Sequence, residues 1–135
     1  MKENRPLRVR GIDHVLVVSS DLDKTREFYL GLLGMDEMPR PDFSFPGLWF
    51  QAGDTQVHVT LAGDDAGACG PGEFTGRYPA QGHHIAFQID DAGAAAEHVR
   101  SLDIPIVAGP YLRPDGPLQF YIRDPDGYLI ELFSR

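Results

Sequence analysis

The apolar positions of this chain fall into two rounds of one rhythm. Gly11-Ile12-Asp13-His14-Val15-Leu16-Val17-Val18 is a short, mostly aliphatic run that predicts a strand. Ser20 and Asp21 follow as helix-cap candidates, and Leu22, Phe28, Tyr29, Leu32 and Leu33 sit near helical spacing until Gly34, which can end the helix. Two more apolar segments, 48–51 and 55–61, flank Ala52-Gly53-Asp54, whose turn chemistry predicts a hairpin. Moving 70 residues along (84 − 14) carries His14 onto His84, Asp21 onto Asp91 and Leu32 onto Leu102, and the same order returns. A strand at 84–89 precedes a second capped helix, and segments 119–122 and 128–133 flank Asp124-Pro125-Asp126-Gly127. One more short strand is expected in each half, near 36–39 and 105–109.

The predicted class is therefore α+β, two βαβββ modules that together form a mixed, cupped sheet. One such module has too little core to stand alone, so two must cover each other. The expected organisation is a single domain over 1–135, with module one at about 11–61, module two at about 83–133 and a connector at 62–82. The connector is rich in glycine and short of apolar residues, which fits a flexible surface link or a lid.

Strand alternation then selects candidate chemistry. His58 shares a face with Gln56 and Thr60, while Val57, Val59 and Leu61 point the other way. His84 sits with Ala86 and Gln88 against Ile85, Phe87 and Ile89, and Glu131 sits against Ile130 and Leu132. His14 shares its face with Ile12 and Leu16, opposite Val15 and Val17. A lone strand histidine is more often structural, and a lone glutamate more often solvated. Here each module donates one residue from its first strand and one from its last, at matched places. If the modules pair by a pseudo-twofold, His14, His58, His84 and Glu131 converge. Three imidazoles and a carboxylate suit one divalent ion such as Ni, Co, Zn, Mn or Fe. His83 has the wrong parity, His98 lies on the second helix, and neither is expected to be a ligand. Phe43, Phe45, Trp49 and Phe50 form an aromatic cluster that could line a substrate cavity or pack the core, and Arg113 lies on a loop where it could grip a carboxylate or simply be solvated.

Composition narrows the setting. One cysteine, Cys69, excludes an internal disulfide framework and a cysteine-based zinc site, and suits a reducing, cytoplasmic compartment. A formal net charge of −8 speaks against nucleic acid or an anionic membrane as partner. No apolar run is long enough to span a bilayer, and the polar start over 1–6 does not read as a signal peptide.

Asp13-His14-Val15, then Phe28-Tyr29-x-x-Leu32-Leu33-Gly34-Met35, then Gly82-His83-His84-Ile85-Ala86-Phe87, then Arg123-Asp124-Pro125-Asp126-Gly127-Tyr128-Leu129-Ile130-Glu131-Leu132 resemble the vicinal-oxygen-chelate superfamily. That group includes glyoxalase I, extradiol dioxygenases, methylmalonyl-CoA epimerase and the fosfomycin- and bleomycin-resistance proteins. The resemblance covers nearly the whole chain, from about Gly11 to Phe133. It implies a metal site whose ligand positions fall on His14, His58, His84 and Glu131, and a homodimer whose site combines modules of one or two chains. The implied reaction is that of a lyase or isomerase working through a metal-chelated enolate of a small α-oxo or hydroxy substrate. Glu131 or a hydroxide on the metal would then shuttle the proton, with His58 the other candidate catalytic position. The family's glutathione-gripping Arg and Asn correspond here to Val18 and Ala62, which speaks against a glutathione conjugate as substrate. An Fe(II) extradiol-type dioxygenase is the second reading, from His14, His84 and Glu131, although His58 would crowd the oxygen side. A drug- or metabolite-sequestering binding protein is the third.

Overall fold

The computed structural model describes residues 5–135, and Met1–Asn4, part of the polar start, lie outside the described residues. Strand β1 spans His14–Ser19 and leads into helix α1 at Leu22–Arg26, which continues without a break as a π-helix over Glu27–Leu32. Strands β2 (Asp36–Glu37), β3 (Gly47–Ala52) and β4 (Thr55–Leu61) complete the first unit. After the connector, which holds a 3-10 turn at Pro79–Gln81, come β5 (Ile85–Gln88), α2 (Ala92–Ser101), β6 (Ala108–Leu112), β7 (Leu118–Arg123) and β8 (Leu129–Ser134). The sheets have the orders β1-β4-β3-β2 and β5-β8-β7-β6, so the same topology is built twice. In both, the first and last strands of the unit pair parallel and the remaining pairs are antiparallel. This is the paired α+β βαβββ architecture that the apolar rhythm predicts.

The local signals act as expected. Asp21 caps α1 by accepting from the backbone N–H groups of Asp23 and Lys24, and Asp91 caps α2 by accepting from Ala94 N. Gly34, at φ +71°, closes the first helix in a conformation that costs other residues a steric penalty. Three boundaries differ. The first helix widens to π geometry from Glu27, with Leu33 N bonded to Phe28 O, and the adjacent bulky Phe28 and Tyr29 are both buried there. Strand β2 stops at Glu37; one more bond, Met38 N to Trp49 O, follows before Pro39 and Pro41 end pairing. Strand β6 starts later than 105–109, because Pro105 has no N–H to give, and pairing begins with Val107 N to Tyr121 O.

One face of each sheet carries the core. Val17, Leu48, Phe50, Val57 and Val59 pack under Phe28 and Tyr29, while Phe120, Ile122, Ile130 and Leu132 pack under Ala92, Ala96 and Val99. Among the described residues no helix is long and apolar enough to cross a membrane. The two units are tied by the turn between β7 and β8. Tyr29 donates to the buried Asp124 carboxylate at 2.8 Å, Val18 N donates to Tyr128 Oη at 3.0 Å, and Ser20 N to Asp126 Oδ1 at 3.0 Å. Among the described residues strands β1 and β5 have no strand partner on their outer edges, although Val18 of β1 is bonded to Tyr128 Oη and to Gly70 N. A cleft of about 800 Å³ is lined by residues of both strands, among them Leu16, Ala86 and Gln88, and by His84.

Candidate functional site

The faces turned away from the helices hold the residues that alternation selected. On the first sheet the imidazoles of His14 and His58 stack at 3.9 Å with planes 12° apart, and Trp49, the register partner of His58 on β3, stacks on the other face of His58 at 4.1 Å. On the second sheet His84 Nε2 lies 3.2 Å from Glu131 Oε1. The four positions therefore arrive as two pairs, one per sheet. Among the described residues no group of three or more His, Cys, Asp or Glu side chains is placed to hold a metal ion within a single chain.

Each imidazole has one nitrogen committed to an acceptor, and this sets the other. His84 Nδ1 lies 2.9 Å from Gly82 O, a carbonyl that can only accept, so Nδ1 carries a proton and Nε2 is the ring nitrogen turned toward Glu131. Two lone pairs facing one another at that separation repel unless a proton or a cation lies between them. His14 Nδ1 is 2.7 Å from Asp13 Oδ2, which leaves Nε2 as the ring nitrogen not committed to Asp13. His58 Nε2 is 2.9 Å from Gln56 Oε1, and Gln56 is oriented by its own bond from Nε2 to Gln51 Oε1, so His58 offers Nδ1. A ring nitrogen tied to carboxylate, carbonyl or amide oxygen while its partner stays free is the usual support of a metal-binding histidine. The donor chemistry fits a divalent ion on each half, and neither half is a complete set by itself.

The surroundings set the electrostatics. Burial, with the neighbouring charges of His14 and Arg40, holds the His58 pKa below the ordinary imidazole value against a smaller opposing effect of Asp13. Tyr121 donates to Glu131 Oε1 at 2.8 Å, and Tyr121 and Glu131 are direct register partners across β7 and β8. Burial and the Glu131 carboxylate push the Tyr121 pKa well up, so the phenol remains a donor. Arg113 Nη1 lies 4.0 Å from Glu131 Oε2, and its guanidinium is also held by Asp115 at 3.0 and 2.6 Å. Thr60 Oγ1, two residues beyond His58 on the same face, is buried without a partner.

The remaining sequence candidates separate. Phe43 and Phe45 stack at 5.1 Å, and Phe43 lies 6.3 Å from Trp49, so these three form the aromatic side of the first half-site. Phe50 turns to the opposite face, where it is fully buried against Tyr29 and packs the core rather than the cup. Cys69 is exposed. Tyr121, Arg40 and the orienting residues Asp13 and Gln56 were not singled out by pattern. Tyr121 carries a signal in the sequence: reflection through the Asp124–Gly127 turn sets it opposite Glu131.

Comparison with known proteins gives one consistent result. The family model for the Glyoxalase/Bleomycin resistance protein/Dioxygenase superfamily matches residues 11–132. A glyoxalase domain-containing protein, RDO1 of Mycosarcoma maydis, is 33% identical over 98% of this chain and 73% of its own length. A lactoylglutathione lyase of Neisseria meningitidis is 29% identical over 90% of this chain and 88% of its own. Among solved structures, a glyoxalase/dioxygenase from Nostoc punctiforme superposes with a TM-score of 0.73 at 23% identity, covering 99% of this chain and 97% of that one, a likeness of fold.

Proposed function

The chain belongs to the glyoxalase/bleomycin resistance protein/dioxygenase superfamily, and from that premise we propose that it is a divalent-metal-dependent lyase or isomerase acting on a small α-oxo or hydroxy substrate. The observation that carries this reading is His84 Nε2 held 3.2 Å from the Glu131 carboxylate, an arrangement in which a metal cation can take the place of a shared proton. His14, His58, His84 and Glu131 would hold the ion. Because the donors come as two pairs on separate sheets, the reading takes His14 and His58 from one chain and His84 and Glu131 from a second copy. The outer edge of β1, which has no strand partner, and the exposed Leu7, Val9, Ile12 and Leu16 along and before it support such a pairing.

The metal, when bound, supplies Lewis-acid stabilisation of negative charge that develops on a substrate oxygen. The chain's own groups do the rest. Glu131 Oε2, not engaged by Tyr121, is the oxygen free to take a proton from carbon next to a carbonyl and to return it. The Tyr121 hydroxyl fixes the carboxylate plane through Oε1. Burial lowers the His58 pKa below the ordinary imidazole value, which favours the neutral ring and keeps its uncommitted nitrogen available to the ion. Trp49 and Phe43 wall the first half-site on its aromatic side.

The test is metal content of untagged protein, wild type and His84→Ala, by elemental analysis. About one transition ion per chain, lost in the variant, is the expected result. Nickel, cobalt or zinc fits the lyase or isomerase, whereas iron with oxygen uptake would move the assignment to a ring-cleaving dioxygenase. A wild type that takes up none of Ni, Co, Zn, Mn and Fe(II) would overturn the reading and leave a binding protein.

A further inference from the structure

Arg40 differs from the other arginines near the two half-sites. It lies between β2 and β3, and its guanidinium carbon is 4.7 Å from the Phe43 ring centroid and 4.8 Å from that of Phe45. Two aromatic faces hold the flat cation by cation–π attraction while consuming none of its five N–H donors. A Cβ at Gly47 would collide first with Val59 O and would also stand 3.0 Å from both Cζ and Nε of Arg40, so the guanidinium lies against this glycine. Gly47 and Trp49 project to the same face of β3 by alternation, and on that face Trp49 stacks on His58. The guanidinium therefore lies on the same side of the sheet as the His14–His58 pair.

What it lacks is an acid. Arg26 is engaged by Asp23 and Glu37, and Arg113 by Asp115, whereas among the described residues no carboxylate lies within ion-pair distance of Arg40. This is notable in a chain with 20 acidic residues against 12 basic ones. Phe45 of this clamp also lines a cavity of about 590 Å³ together with Leu16, Val18, Pro46, Thr60 and Ala62; Asp64 and Asp65 line it as well, and Arg40 reaches it only by way of Phe45. Val18 and Ala62, the positions where the sequence resemblance places polar grips for glutathione, are apolar walls of this cavity.

We propose that Arg40 is the anion anchor of the site, receiving the carboxylate of a small substrate whose apolar body fills the cavity walled by Leu16, Val18, Phe45 and Ala62. The inference rests on the proposed metal centre only for where the reacting atoms lie. The substrate class it names is a hydroxy or oxo carboxylic acid with an aryl or alkyl body. Guanidinium offers such a carboxylate two parallel N–H donors, and the aromatic clamp has already removed much of the entropy cost of ordering the side chain.

Trp49, the single tryptophan, reports on this face by its emission. Mandelate, with mandelamide as the uncharged control, is titrated into metal-free wild type, Arg40→Met, Arg40→Lys and Arg40→Gln. Far-UV dichroism checks the fold, and Zn²⁺ binding is measured separately by calorimetry. The expected result is saturable mandelate quenching in wild type, weakened about ten-fold or more in Arg40→Met and Arg40→Gln and partly kept in Arg40→Lys. Mandelamide responds alike in wild type and Arg40→Met, and Zn²⁺ binding is not lost in any Arg40 variant. Equal mandelate affinity in the folded Met or Gln variant, or no saturable response in wild type, overturns the role of Arg40. A wild type that refuses Zn²⁺ sinks the metal centre alone, because the mandelate titration is read without metal.

Discussion

Glu131 is buried, yet its carboxylate is approached from three directions: the Tyr121 hydroxyl, the Nε2 ring nitrogen of His84 and, at 4.0 Å, Arg113. Of these, Tyr121 alone donates a short hydrogen bond, so it fixes where the carboxylate points. Tyr121→Phe keeps the ring and removes that bond, and Zn²⁺ affinity by calorimetry should fall about ten-fold or more. An unchanged affinity would show that Tyr121 is packing only. Thr60 makes the opposite case. Its buried hydroxyl has no partner, and Thr60→Val has the same shape without the desolvated oxygen. The variant should be more stable by about 1 kcal/mol, read from the urea midpoint. A less stable variant would mean that the hydroxyl has a partner in solution. At this scale the sequence was legible wherever a residue sat on a periodic strand. His14, His58, His84 and Glu131 could be found by parity, and Tyr121 by reflection through a turn. Arg40 could not be found, since its place depends on how Phe43, Phe45 and Gly47 pack in a loop with no period to read.

Between elements, the turn joining β7 and β8 does more than reverse the chain. The Asp124 carboxylate accepts from Asp126 N at 2.9 Å and Tyr128 N at 3.0 Å, which shapes the turn, and from Tyr29 on the other unit at 2.8 Å. Tyr29→Phe leaves a buried carboxylate short of one donor and should cost about 1–3 kcal/mol in chemical denaturation. A loss within error would mean that water replaces the phenol. The same carboxylate carries a pH signature. Burial raises its folded pKa above the ordinary carboxylate value, against the lowering effect of its hydrogen bonds. The folded protein then binds this proton more tightly than the unfolded chain does. That contribution is fully present below the unfolded value and is lost as pH rises through the folded one. Stability of wild type relative to Asp124→Asn should therefore increase as pH falls across that window, and a pH-independent difference would show that the hydrogen bonds cancel the burial. The role of Asp124 in making a turn was readable from Asp-Pro-Asp-Gly, but its bond to Tyr29 was not, because a contact 95 residues away leaves no local pattern. The elements themselves were nearly all legible, and the shifts at β2 and β6 trace to prolines that withhold a donor rather than to a wrong period.

At the scale of the whole molecule the question is how two half-sites become one. Within one chain the turn at Asp124–Gly127 locks the units to each other through Tyr29, Val18 and Ser20, while the donor pairs stay apart on separate sheets. As the chain stands, His14 and His58 do not come together with the same chain's His84 and Glu131 in one ligand group. If two copies pair as proposed, a twofold axis would build two equivalent sites from four half-sites. Mixed chains distinguish the two arrangements. His58→Ala spoils the first half-site, and His84→Ala the second. If each site is shared, a dimer of one variant with the other has one doubly damaged site and one intact site. Random exchange puts about half the chains in mixed dimers, so about a quarter of all sites should bind Zn²⁺ normally, although each variant alone binds weakly. Mixing His14→Ala with His58→Ala should restore nothing, because both changes fall on the same half-site and every combination carries one of them. Recovery in the first mixture and not in the second assigns the site to two chains. Absence of recovery in both, with subunit exchange verified by mass, would place all four donors in one chain.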